Sequence, residues 1–213
     1  MNSLPGVKLS RSFTSSSASG AGSNDTAKAV ALSKEMKAAG ATHLLHVSPM
    51  YNKPPQRGII AHFERIADAT DLPIVVYNVP GRTGSNIEAK TTLALAKVRN
   101  IVAVKEASGN MAQILDILRD RPDQFAVLSG DDEMTLGMLA AGADGVISVV
   151  SNATPKKMAQ LCEAGLRGDM ATARRLHFEL LPWMRAAFIE SNPIPVKAAM
   201  ALLGRMENRL RLP

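Results

Sequence analysis

The sequence predicts an α/β fold built on parallel strands and closed by a helical appendage. Short runs that are apolar on both faces recur along the chain, amphipathic segments of helical length separate them, and after Pro155 only helical periodicity is present. Strands buried on both faces need cover on both, and a helix between consecutive strands is the connection that makes them parallel.

Residues 1–23 stand apart. FTSSSASGAGS is rich in serine and glycine, Lys8 and Arg11 are offset by no acid, and no apolar periodicity runs through the segment. It is expected to be disordered and outside the folded part. The same composition would suit an organellar transit peptide, but no amphipathic arginine-bearing helix accompanies it. The sheet-and-helix part is placed at residues 24–154 and a helical region at 155–213.

Asn24 is a candidate cap for a helix over 24–39, and Gly40 ends it. HLLHVSP (43–49) has strand character. A helix over 58–70 groups Ile59, Phe63, Ile66 and Ala67 on one face, and PIVVYNVP (73–80) follows as a strand. The spacing predicts a helix over 86–98 through Thr91, Ala94, Leu95 and Val98, then the strand IVAVKEAS (101–108), then a helix over 110–121 through Met111, Ile114, Leu115 and Leu118. FAVLSGDD (125–132) and GVISVVS (145–151) are strands on either side of a short helix at 133–141. Helices over 155–167, 169–188 and 195–203 follow, interrupted by Pro193 and Pro195. About five strands are legible, where a closed βα barrel has eight.

Composition removes several function classes. The chain is 46% hydrophobic and 21% charged, with no apolar run near the ~20 residues of a membrane span. One cysteine, Cys162, excludes a disulfide framework and fits a reducing compartment, the cytoplasm; the four histidines have no metal-ligand spacing. The net charge of +6 is spread along the chain among acids, without a basic patch bearing aromatics, so solvated helix faces are expected and a nucleic-acid partner is not.

The candidate site lies at strand ends. Alternate residues share a face, so Lys105 lies with Ala103 and Ile101, while Tyr77 ends the preceding strand at a distance that allows the two to be neighbours. The carboxyl-terminal rim of parallel strands is where α/β enzymes assemble their sites, because the sheet holds side chains there while the loops vary. Position alone leaves two readings of Lys105. One is a snorkelling side chain, or an ion pair with Glu106 or Asp131. The other is a nucleophile whose pKa burial lowers, a neutral amine that attacks a carbonyl carbon to form an imine. Tyr77 would shuttle the protons that imine formation moves. In NVPGRTG, Pro80 and Gly81 favour a tight turn that projects Arg82, a planar fork suited to a carboxylate or to a surface ion pair. Tyr51 follows another strand in MYNKP.

Taken together, VVYNVPGRTG, VAVKEASGN, LSGDD and GVISV, in this order and separation, closely resemble the dihydrodipicolinate synthase family of pyruvate-dependent class I aldolases. The likeness runs from about residue 20 to 213. It implies a (β/α)8 TIM barrel, present here as a partial barrel of about the last five strands, and condensation of pyruvate with L-aspartate 4-semialdehyde on the diaminopimelate route to lysine. The resemblance makes Lys105 the Schiff-base lysine and Tyr77 the proton donor and acceptor for imine formation and cyclisation. It makes Tyr51 the relay residue supplied across a tight dimer interface, Arg82 the receiver of the semialdehyde carboxylate, and Ile147 a backbone contact of pyruvate. A homo-oligomer, dimer or tetramer, is implied, with no metal and no organic cofactor. Other readings are another pyruvate Schiff-base aldolase of the superfamily, or a noncatalytic chain that associates with a complete synthase subunit.

Two departures from the family pattern set further expectations. The Gly-Thr-Thr-Gly-Glu type loop, whose threonines bind pyruvate, has no counterpart here, and the chain stops at LRLP before the family's final helices. The chain is therefore expected to be a fragment with reduced activity. In lysine-inhibited relatives an asparagine, an acidic residue or histidine four positions later, and a tyrosine before the relay tyrosine form the allosteric site. Here Asn24 is kept while Lys28 and Met50 replace the others, so weak feedback is expected.

Overall fold

The computed structural model describes residues 18–212. Most of the segment expected to be disordered, residues 1–17, lies outside the described residues, but its last part does not follow that reading. Ala18–Gly20 form a strand, β1, that pairs in parallel with β2 (His43–Val47), Ala18 opposite His43 and Gly20 opposite Leu45. Three small residues have no strand propensity of their own; the ladder to β2 supplies the conformation. Gly22 then leaves the strand in contact with β2, since a Cβ there would lie 2.7 Å from Val47 Cγ1 and 2.9 Å from its backbone nitrogen.

The chain forms two compact units, meeting in sequence at Leu128 and Ser129. In the first, β1, β2, β3 (Ile74–Asn78), β4 (Ile101–Glu106) and β5 (Ala126–Ser129) lie side by side in chain order. Register is set residue by residue: Val47 opposite Tyr77, Tyr77 opposite Lys105, Asn78 opposite Glu106. Helix α1 (Thr26–Ala38) follows β1 and ends before Gly40, which has the left-handed φ of 90° expected of a stop. Its cap is Asp25, not Asn24: the Asp25 carboxylate accepts from the Lys28 N–H at 2.7 Å, while the Asn24 carboxamide donates to the Met50 carbonyl at 3.2 Å.

Helix α2 (Gln56–Asp68) buries the predicted face, with Ile59, Phe63 and Ile66 at 0% exposure. Each contributes about 1.5–3 kcal/mol over leaving it in water. The segment NVPGRTG makes a single helical turn, α3 (Pro80–Thr83), instead of a tight reversal. Helix α4 (Ala89–Leu95) starts three residues later than the predicted 86–98. The reason is Asn78: its Oδ1 accepts from the Ile87 N–H at 2.9 Å and its Nδ2 donates to Asn86 Oδ1 at 2.9 Å, holding both residues out of the helix. Helix α5 (Met111–Asp120), capped by Asn110, buries Ile114 and Ile117; Leu115, assigned to that face, is 48% exposed.

The second unit contains α6 (Thr135–Ala140), β6 (Gly145–Val146), a 3-10 turn (Val150–Asn152), α7 (Pro155–Leu166), α8 (Met170–Ala186) and α9 (Ile194–Leu202). Its core is Leu139, Val150, Met158, Leu161, Leu176, Leu180 and Met184. The predicted strand over 145–151 stops after Val146, because the Asp132 carboxylate takes the N–H groups of Val149 and Val150 at 3.0 and 3.1 Å and turns the chain into the 3-10 element. Among the described residues, six strands are present instead of about five, the added one being β1. Among the same residues no helix is long and apolar enough to cross a membrane.

Candidate active site

Lys105 and Tyr77 occupy directly opposed positions at the ends of β4 and β3. The Lys105 Nζ stands 4.2 Å from the centroid of the Tyr77 ring, and Lys105 is only 9% exposed. A lysine stem that merely snorkelled would carry its nitrogen to solvent; this one is held over an aromatic face beside a phenol. The Glu106 carboxylate turns to the other side of the strand, where it accepts from the Ser108 N–H at 2.7 Å and from Asn78 Nδ2 at 3.1 Å.

The loop after Tyr77 presents Arg82. The Val79 carbonyl accepts from the N–H groups of Arg82 and Thr83 at 2.9 and 3.1 Å, Gly84 closes the turn with φ 74°, and Arg82 is exposed on it. Tyr51 meets this loop through its backbone, its N–H donating to the Thr83 carbonyl at 3.1 Å. A Cβ on Gly84 would lie 2.9 Å from Lys53 Cε, so the two loops touch where only glycine fits. Tyr51 is 89% exposed, in contrast to the buried Lys105.

The family model described as the dihydrodipicolinate synthetase family matches residues 18–213. The chain belongs to the dihydrodipicolinate synthetase family. It is 53% identical over 195 residues to a 4-hydroxy-tetrahydrodipicolinate synthase of Koribacter versatilis (strain Ellin345), covering 91% of this chain and 65% of that protein. Its identity to the Salinibacter ruber (strain DSM 13855 / M31) protein of the same name is 55%, with the same coverage. The crystal structure of dihydrodipicolinate synthase from Aquifex aeolicus superposes with a TM-score of 0.89 at 46% identity, over 91% of this chain and 67% of that one. The α/β fold is thus that of a partial TIM barrel of this family, and the chain spans about 65% of the length of the curated relatives it matches.

Ile147 belongs to the second unit, where its N–H donates to the Ser129 carbonyl at 2.9 Å, directly after β6. Cys162 in the same unit is no competing nucleophile: burial first, then the nearby Asp132 and Glu163, push its thiol up to about 12. Among the described residues no group of three or more His, Cys, Asp or Glu is disposed to hold a metal ion. Sequence reasoning missed Asn78, Glu106, Asn86 and Gln113, which form one hydrogen-bonded cluster beneath the strand ends. The signal was within the quoted motifs, since YN and KE each place a polar residue one step past Tyr77 or Lys105 and therefore on the opposite face.

Proposed function

We propose that Lys105 forms a Schiff base with pyruvate and that the chain uses it for the condensation with L-aspartate 4-semialdehyde that gives the relatives their name. The observation that carries this reading is the opposed Tyr77–Lys105 pair, with Nζ 4.2 Å from the ring centroid. Lys105 Nζ attacks the pyruvate keto carbon, and the carbinolamine loses water to give the imine. Tyr77 takes and returns the protons of addition and dehydration. The imine withdraws electrons from the methyl group; loss of a methyl proton gives an enamine, and that carbon attacks the aldehyde carbon of the second substrate. Cyclisation through the substrate amine then releases Lys105.

Arg82 receives the semialdehyde carboxylate, the acceptor a planar guanidinium pairs with two-fold. Because the Ile147 N–H is already donated to Ser129, we assign its carbonyl as the backbone group that meets pyruvate. The exposed Tyr51 completes the proton relay of a partner subunit in a homo-oligomer, dimer or tetramer, which accounts for a site residue that is 89% exposed in one chain. Substrate competition tests the assignment. The chain should consume L-aspartate 4-semialdehyde in the presence of pyruvate faster than it cleaves a sugar-derived keto acid; the reverse order would move it to another branch of pyruvate aldolases.

A further inference from the structure

We infer that Asn78 and Glu106 are positioning residues that hold Lys105, Tyr77 and the Arg82 loop in register. The inference deepens the proposed function and rests on it for the role given to Lys105. β3 and β4 end in two consecutive rungs, Tyr77 opposite Lys105 and Asn78 opposite Glu106. Successive residues point to opposite faces, so the first rung bears the reactive pair and the second, 0% and 1% exposed, lies behind it.

Every contact to the Glu106 carboxylate comes from an N–H donor. Oε1 accepts from the Ser108 N–H at 2.7 Å and from Asn78 Nδ2 at 3.2 Å; Oε2 accepts from Asn78 Nδ2 at 3.1 Å and Gln113 Nε2 at 3.4 Å. Asn78 reaches the other way. Its Oδ1 accepts from the Ile87 N–H at 2.9 Å and its Nδ2 donates to Asn86 Oδ1 at 2.9 Å, which anchors the chain just after the Arg82 turn. One buried cluster therefore fixes the strand end carrying Tyr77, the strand end carrying Lys105 and the exit of the Arg82 loop. Neither strand end can slide or rotate without leaving buried donors unpaired. A carboxamide at position 106 would turn an NH2 group against the donors that now meet a carboxylate oxygen.

The test uses the full chain as wild type, Glu106→Gln, and Gln113→Ala as a milder change, all at a temperature where circular dichroism finds them folded. Trace acetylation read by mass spectrometry gives the reactivity of Lys105 relative to exposed Lys90, without pyruvate. Borohydride trapping gives the rate of pyruvate adduct formation. A displacement on the order of 1 Å should slow trapping at saturating pyruvate about tenfold or more in Glu106→Gln, with half-saturation moved less than about threefold. The Lys105/Lys90 labelling ratio should shift about fivefold. An unchanged labelling ratio in Glu106→Gln overturns the inference. If Glu106→Gln does not fold, a change of about twofold in the labelling ratio of Gln113→Ala supports it, and no change overturns it. Absence of any pyruvate adduct in the wild type would instead strike the proposed function, and the labelling ratio would still decide the ladder.

Discussion

Asp132 is 2% exposed, and one carboxylate oxygen accepts from two consecutive N–H groups, those of Val149 and Val150. Replacing it with alanine leaves both donors buried and unpaired, and should cost about 2–4 kcal/mol in urea unfolding, with Asp132→Asn well below that. A loss under about 1 kcal/mol would deny the carboxylate this role. Tyr77→Phe keeps an aromatic face under Lys105 and removes only the hydroxyl. It should leave stability nearly unchanged and slow pyruvate adduct formation by about 100-fold; a rate near wild type would place the proton relay elsewhere. At this scale the strand-end placement of Tyr77 and Lys105 was legible, because an ionisable group closing an apolar strand stands out in a single sequence. Glu106 was not, since its partner Asn78 is 28 residues away and only the strand register brings them together.

Elements were legible where a segment carries its own periodicity and illegible where another element dictates its shape. Helix α2 follows its apolar face, but α4 begins late because Asn78 captures Asn86 and Ile87, and β1 exists through its ladder to β2. The packing of β2 against α1 also sets a pH dependence. His46 is fully buried, and burial first, then nearby His62, lowers its pKa from 6.5 to about 4. Ser33 Oγ donates to the Ala29 carbonyl at 2.7 Å, so it accepts from His46 Nε2 at 3.1 Å, which therefore carries the proton of a neutral ring. The unfolded chain binds a proton below about pH 6.5 that the folded one refuses until about pH 4, so stability falls as pH drops through this window and then levels. The loss is on the order of 3 kcal/mol, and burial of His62 acts in the same direction. Urea titrations at several pH values should give a slope that His46→Leu flattens; equal slopes would assign the acid sensitivity to other groups.

For the chain as a whole we propose that Asn24, Lys28 and Met50 make feedback by lysine weak. Asn24 and Met50 are joined by a hydrogen bond of 3.2 Å, and Lys28 is exposed on the first turn of α1. An ammonium there repels the cation of a lysine ligand. In a protein of this sequence that turns over, millimolar lysine should leave the initial rate within about twofold, and strong inhibition would contradict the reading. The βα alternation and the family were legible at this scale from the order and spacing of four motifs, because each sits where an apolar strand gives way to a loop. The central claim is that Lys105 is the nucleophile for pyruvate, and borohydride trapping followed by peptide mass spectrometry tests it most directly. One reduced pyruvate adduct is expected, on Lys105, lost in Lys105→Met; an adduct on another lysine, or none, would refute this role for Lys105.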